Sequence, residues 1–176
     1  DSSPIQQDYL TYGGLYREVW LEATAESRLT DLFVYTPTLQ EAVVQWTAEL
    51  TPAAAAVRIR LETADGALLA EHTTQAAETG KMRLSAPDAQ PWDTEHPVLH
   101  HAIAELLNAA GQPIDRKQVT FGFRTAEFRA DGFYLNGKKT FLRGLNRHQS
   151  YPYIGYAAPE SLQREDARIL QEELHC

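Results

Sequence analysis

Two short segments alternate between apolar and polar residues, and this alternation limits the possible folds more than any other feature of the sequence. In residues 44–50 every even position is apolar and every odd position is polar. In residues 57–61 the odd positions are apolar, and Arg58 and Arg60 stand between them. A period of two with opposite chemistry on the two faces predicts β-strands that bury one face and expose the other.

Further strand and turn signals surround these segments. Asp65-Gly66 is a tight-turn pair, so we expect residues 67–71 to return antiparallel to residues 57–61. Apolar runs at 29–34, 81–84 and 119–123 predict further strands, and residues 15–21 predict an earlier strand with mixed faces. Six to seven short strands separated by turn signals predict an all-β sandwich over about residues 29–125.

The segment 96–108 carries conflicting signals. Pro97 near its start, Gly111 beyond its end and apolar residues at helical spacing (Leu99, Ile103 and Leu106) favour a helix. A sandwich requires a strand at this point, and tertiary context routinely overrides propensity. We therefore predict a strand.

After Thr125 the pattern changes. Asn136-Gly137 between residues 133–135 and 138–142 predicts a hairpin, because both turn residues tolerate a positive φ. A long loop follows, and Pro159 suits the first turn of a helix. The apolar stripe of that helix would consist of Leu162, Ile169, Leu170 and Leu174. The order hairpin, strand, loop and helix is how a βα unit begins, and one such unit cannot bury its own faces.

Polar and aromatic side chains are concentrated in the loop, between residues 143 and 153. They are Arg143, Asn146, Arg147, His148, Gln149, Tyr151 and Tyr153. Arginine and neutral histidine give directional hydrogen bonds to hydroxyl groups, and aromatic rings can stack on the apolar faces of a sugar. Loops after strands carry the functional side chains of βα architectures. The pattern therefore predicts a carbohydrate site; the alternative is a solvated loop with an exposed histidine.

Composition and motifs exclude several other functions. Sixteen Lys and Arg against 24 Asp and Glu give a net charge of −8, so we expect no nucleic-acid partner. No apolar run approaches the ~20 residues of a membrane span, and no phosphate-binding glycine loop or nucleophile elbow is present in the sequence. The histidines show no zinc spacing, and the lone Cys176 suits a reducing compartment such as the cytoplasm. The acidic residues of the predicted helix are expected to form a solvated face: Glu160, Glu165, Asp166, Glu172 and Glu173.

Two stretches resemble glycoside hydrolase family 2. The first, Tyr12-Gly13-Gly14-Leu15-Tyr16-Arg17-Glu18-Val19, resembles the segment that closes the N-terminal sugar-binding domain of that family. The second includes Leu135-Asn136-Gly137-Lys138 and Leu142-Arg143-Gly144-Leu145-Asn146-Arg147-His148, and it resembles the entry into the catalytic barrel. Within the family, the Asn-Arg-His segment followed closely by a proline is most similar to the bacterial β-galactosidases.

The resemblance implies a mainly β chain in three parts. Residues 1–27 would be the end of a jelly-roll sugar-binding domain, and residues 28–125 an immunoglobulin-like β-sandwich. Residues 126–176 would be the first βα unit of a (β/α)8 TIM barrel. The chain is thus expected to be an internal fragment of a larger enzyme, which we expect to be a homo-oligomer.

The resemblance also implies a reaction, the retaining hydrolysis of terminal β-galactosides. Family members use two glutamates on later barrel strands, so we expect no catalytic residue here and no activity from this chain alone. His148 would contact the galactosyl hydroxyls, and Asn146 and Arg147 would shape the pocket around it. Asp8 would lie near the primary hydroxyl of the sugar and a bound sodium ion. We expect no cofactor in the fragment, and sodium or magnesium in the whole enzyme.

Two alternatives stay open. One is a non-catalytic binding or adhesion sandwich that stands alone, with residues 126–176 as an appendage. The other keeps the family and changes the sugar, as in a β-glucuronidase or a β-mannosidase.

Overall fold

The computed structural model describes residues 14–15 and 17–176 of the chain. The chain divides into two compact units. One unit is Ala23–Phe141, and the other combines Asp1–Glu22 with Leu142–Cys176. The strand predicted at residues 15–21 is not formed by the described residues of that stretch. Leu15, Val19, Trp20 and Leu21 are exposed there, and an apolar run needs a neighbouring strand to bury its side chains before it becomes a stable strand.

Seven strands form the sandwich. They are β1 Arg28–Thr38, β2 Glu41–Glu49, β3 Ala56–Thr63, β4 Leu68–Gln75, β5 Thr79–Ser85, β6 His100–Leu107 and β7 Pro113–Phe121. One sheet has the order β1-β2-β5, the other has the order β4-β3-β6-β7, and neighbours in both sheets are antiparallel. The predicted β-sandwich is confirmed. Its fourth strand pairs with β3, whereas in constant-type immunoglobulin domains the fourth strand joins the sheet of the first, second and fifth strands.

The core lies between the sheets and uses the alternating residues of β2 and β3. Val44 and Trp46 are buried on β2, and Val57, Ile59 and Leu61 are buried on β3. The opposite face of β3 carries Arg58 and Arg60, as the alternation predicted. Both arginines form ion pairs with Glu105 of β6, so the polar face is stabilised by charge pairing across neighbouring strands.

The ambiguous segment forms a strand, as we predicted. β6 lies between β3 and β7, and all of its side chains except that of His101 are buried. A central strand covered on both faces has no polar side to reveal a period of two. Its apolar residues therefore fit helical spacing equally well, and only the neighbouring strands decide between the two structures.

A small three-stranded sheet follows the sandwich within the same unit. It consists of β8 Ala126–Arg129, β9 Gly132–Leu135 and β10 Lys138–Lys139. Asn136 and Gly137 have φ of 51° and 77°, which confirms the predicted two-residue turn. The returning strand was expected to reach residue 142, but it ends at Lys139, where the pairing with β9 ends.

Asn136 also fastens this hairpin to the sandwich. Its Nδ2 donates to the Trp92 carbonyl at 2.9 Å, and its Oδ1 accepts the Thr125 amide at 2.9 Å. Trp92 in turn donates its amide to the Phe123 carbonyl at 2.9 Å. The turn residue thus has a conformational role and a tethering role at once.

The last part of the chain contains the predicted helix but not the predicted barrel strand. Helix α1 spans Glu160–Arg168 and continues as a π-helical turn, Ile169–Glu173; neither contains a buried residue. Between β10 and α1 the only strand-type pairing is an isolated bridge between Tyr151 and Gly155; the remaining backbone forms turns and irregular structure. A parallel barrel strand is stabilised by neighbouring strands on both sides, and residues 142–176 supply none. The exposed Cys176 donates its amide to the Leu170 carbonyl at 2.9 Å.

No helix in the described part of the chain is long and apolar enough to cross a membrane.

Candidate functional site

The predicted sugar-contacting residues lie in an irregular stretch before helix α1. Asn146 and His148 are exposed, and no hydrogen bond or ion pair joins their side chains to another residue of the described part. Both side chains can therefore contact a ligand without first breaking an internal contact. Asp8, the fourth predicted site residue, lies outside the described residues.

Arg147 is arranged differently from its two neighbours. Its Nε donates to Oδ2 of Asp166 at 2.6 Å, and its Nη2 donates to the Tyr151 hydroxyl. The Tyr151 hydroxyl donates to the same Oδ2 of Asp166. We call these three residues the Arg147 clamp. It joins the loop, at two points four residues apart, to helix α1.

The clamp is partly shielded from water, and its charges reinforce one another. The side chains of Arg147 and Asp166 are 24% and 25% exposed. Hydrogen bonds from the Tyr151 hydroxyl and then from Arg147 lower the pKa of the Asp166 carboxyl. Asp166 in turn raises the pKa of Arg147 and the pKa of the Tyr151 hydroxyl. At neutral pH the clamp is therefore an ionised Arg–Asp pair with a protonated tyrosine.

A tight turn extends from the clamp. The backbone amide and carbonyl of Tyr151 and Gly155 bond to each other in both directions, at 3.1 and 2.9 Å. Tyr153 at the tip is fully exposed and has a φ of 69°, a left-handed conformation that is unusual for an aromatic residue. The ring of Tyr153 is therefore open to solvent on all sides.

Asp166 is the residue that sequence reasoning misplaced. The solvated face expected for the helix is correct for Glu160, Glu165, Glu172 and Glu173, which are exposed. Asp166 is half-buried and bonded to the loop. A signal was present in the sequence: Asp166 lies four residues after Leu162 and three before Ile169, so it belongs to the apolar side of the helix.

The carboxylates near the loop are engaged by arginines. Glu160 accepts a hydrogen bond from Nε of Arg164 at 2.9 Å, and Arg168 is bonded to Glu165, Glu172 and Glu173. Hydrogen bonds from Arg168 lower the pKa of the Glu165 carboxyl. A carboxyl group with a lowered pKa, such as that of Glu165, is poorly suited to act as the general acid of a glycosidase, which needs a raised pKa.

The same unit contains a groove of about 940 Å³ at the start of helix α1. Leu15, Trp20 and residues 157–160 form much of its lining, and the clamp and His148 do not line it. Within the described residues, no group of three or more His, Cys, Asp or Glu side chains is placed to hold a metal ion.

Comparison with known proteins places this sandwich in one family. The model of the glycosyl hydrolases family 2 matches residues 27–124, which contain the whole sandwich. This chain belongs to glycosyl hydrolases family 2.

The relatives are larger proteins with related names. A β-galactosidase from Thermoanaerobacter pseudethanolicus is 35% identical over 95% of this chain and 24% of its own length. A β-galactosidase from Thermoanaerobacterium thermosulfurigenes is 36% identical over 97% of this chain and 25% of its own length. A protein from Formosa agariphila named as a putative β-glucuronidase is 31% identical over 95% of this chain and 21% of its own length. The chain spans about a quarter of the length of the relatives it matches.

Solved structures share the fold. The β-glucuronidase of Bifidobacterium dentium, complexed with coumarin-3-O-glucuronide, aligns with a TM-score of 0.72 at 24% identity. The match covers 84% of this chain and 26% of that protein. The ligand-free β-glucuronidase of Ruminococcus gnavus aligns with a TM-score of 0.66 at 22% identity, over 83% of this chain and 24% of that protein.

Proposed function

We propose that this chain is a segment of a retaining β-galactosidase and contributes residues to the wall of its sugar-binding site. The observation that carries the proposal is the similarity to two β-galactosidases over nearly the whole chain, including the Asn146-Arg147-His148 loop. The structure adds physical support, because Asn146 and His148 are exposed while Arg147 is held by the clamp.

In this proposal Asn146, Arg147 and His148 have different roles. His148 gives hydrogen bonds to galactosyl hydroxyls, since a histidine without an internal partner can donate or accept through its ring nitrogens. Asn146 can do both through its amide. Arg147 acts on the loop rather than on the sugar, because its guanidinium already bonds to Asp166 and Tyr151.

Catalysis requires more than this segment. Retaining glycosidases place two carboxyl groups about 5–5.5 Å apart, one as acid and one as nucleophile. We assign neither role to a residue of this chain and expect the 176-residue polypeptide alone to be inactive. In the same proposal the whole enzyme is a cytoplasmic bacterial homo-oligomer that uses sodium or magnesium, with Asp8 near the ion.

The direct test uses the complete open reading frame that encodes this sequence. The purified product is assayed on nitrophenyl β-galactoside, β-glucuronide and β-mannoside. We expect the galactoside to have the highest kcat/KM. A preference for either other sugar would overturn the galactosidase assignment, and no hydrolysis of any glycoside would favour the non-catalytic binding module.

A substitution tests the role of His148. His148→Ala should lower kcat/KM on the galactoside by about 100-fold, because a hydrogen bond to the sugar that strengthens in the transition state is lost. His72→Ala is the matched control, because His72 is an exposed histidine on β4 of the sandwich. Equal rates for the two variants would remove His148 from the sugar site.

The β-glucuronidase alternative has a specific observation in its favour, the 31% identity to the Formosa agariphila protein. A glucuronide carries a carboxylate where a galactoside carries a primary hydroxyl, so an arginine would be the expected recognition group. Arg147 is already bonded to Asp166 and is therefore not free for this role, whereas Arg143 of the same loop is exposed. The assay on the three nitrophenyl glycosides decides between the two sugars.

A further inference from the structure

The Arg147 clamp lies directly beside the residue that we assign to the sugar. Arg147 precedes His148, and Tyr151 follows it by three residues. Both residues converge on one oxygen, Oδ2 of Asp166. The backbone that carries the imidazole is thus fixed on both sides by a single carboxylate of helix α1.

This arrangement differs from the other ion pairs of the same unit. Arg164–Glu160 and Arg168–Glu165 join residues three or four apart on the helix surface, and their side chains are 41% to 78% exposed. Exposed pairs of this kind contribute little. In the clamp, residues 147 and 166 are far apart in sequence, both side chains are about one-quarter exposed, and the charged groups share a hydroxyl. Charge-assisted hydrogen bonds with partial shielding are the stronger class.

We propose that Asp166 is a positioning residue for His148: it holds Arg147 and Tyr151, and thereby fixes the backbone from which the imidazole extends toward the sugar. The functional part of this inference rests on the proposed role of His148. The positioning itself is a property of residues 147–166 and is measurable without a sugar.

The test is nuclear magnetic resonance on the full 176-residue chain. Asp166→Asn keeps the shape of the side chain but removes its charge. We expect the imidazole resonances of His148 to shift and broaden, and the amides of residues 146–151 to exchange with solvent about tenfold faster. Unchanged resonances and exchange rates would overturn the proposal.

A neighbouring residue provides the control. Glu165→Gln removes a charge from the adjacent position of helix α1, but Glu165 pairs with Arg168 and not with the loop. Its effect on the His148 resonances should be negligible. An effect equal to that of Asp166→Asn would show that helix charge, rather than the clamp, acts on the loop, and would also overturn the proposal.

A second variant keeps the proposal testable if Asp166→Asn unfolds the helix. Tyr151→Phe keeps the ring and the Arg147–Asp166 ion pair and removes one hydrogen bond to the shared oxygen. We expect the same changes at His148 with smaller amplitude, and their absence would count against the clamp.

If the complete enzyme hydrolyses galactosides, Asp166→Asn should also raise KM, whereas Glu165→Gln should not. An inactive enzyme would refute the proposed function and leave the resonance experiment valid.

Discussion

Trp46 on β2 is paired with Gly80 on β5, and the space beside this pair has room for only one side chain. The indole of Trp46 lies over Gly80, and a methyl group on Gly80 would overlap the ring. The indole nitrogen donates to the Ala77 carbonyl at 3.2 Å, which prevents the ring from moving away easily. Because Gly80 has no side chain, the indole of Trp46, the largest side chain on β2, can occupy this space.

We expect Gly80→Ala to lower the free energy of unfolding by about 1–3 kcal/mol, because it overpacks a core that is already filled. Urea denaturation followed by circular dichroism measures the change. Gly144→Ala serves as the control, since a methyl group there meets no atom within 4 Å, and its effect should stay within about 0.5 kcal/mol. Equal effects of the two substitutions would contradict steric exclusion by Trp46.

At the scale of single elements, β6 carries an unusual residue for a central strand. His100 is 1% exposed, its ring meets the Phe123 ring edge-on at 5.0 Å, and its Nδ1 has no hydrogen-bond partner within the described residues. Burial, and to a smaller extent the neighbouring His101, lowers the pKa of its imidazole from 6.5. A cavity of about 370 Å³ beside it is lined in part by Asp65 and Asp88.

The lowered pKa makes the sandwich sensitive to mild acid. Well above pH 6.5 the imidazole is neutral in both the folded and the unfolded state, and its contribution to stability is complete. As the pH falls below 6.5, the unfolded chain takes up a proton that the folded chain resists, so the unfolding free energy falls by up to about 1.4 kcal/mol per pH unit. His100→Phe should therefore lose less stability between about pH 7.5 and about pH 5.5 than the parent chain.

Urea titrations at the two pH values measure this difference. His72→Gln is the matched control, because it replaces an exposed histidine of β4 instead of a buried one. If His100→Phe keeps the parent's full pH dependence, the acid sensitivity has another origin.

The elements show which parts of the fold the sequence reveals. Strands β2 and β3 bury one face, so their alternation was sufficient to predict them. The Asn136-Gly137 turn was predictable because positive φ restricts the residue types there. β6 is buried on both faces, and the missing barrel strand depends on neighbours that residues 142–176 do not contain, so neither could be decided from local pattern. The spacing from Leu162 and Ile169 places Asp166 on the apolar side of helix α1, but its partner Arg147 lies 19 residues away and does not follow from local pattern.

At the scale of the whole molecule, burial is divided unequally between the two units. Every buried residue in the described part of the chain lies between Ser27 and Leu135, inside the unit Ala23–Phe141. Helix α1 and the π-helical turn contain none. Because tertiary burial supplies most helix stability, the two units should differ strongly in local stability.

Amide hydrogen exchange of the full chain tests this difference. We expect the amides of β2, β3 and β6 to exchange at least about 100-fold more slowly than those of helix α1, since opening the sandwich exposes its core and opening the helix does not. Comparable protection in both regions would show that the helix gains stability from contacts beyond its own unit.

The single thiol of the sequence lies in the less buried of these units. Cys176 is exposed, and Cys176 is the only position that a maleimide reagent would modify. One dye or spin label per molecule can therefore be attached without removing any other cysteine. Such a label would report on the segment that contains the Arg147 clamp, and replacing Trp20 by Phe would leave Trp46 and Trp92 as intrinsic signals from the sandwich unit alone.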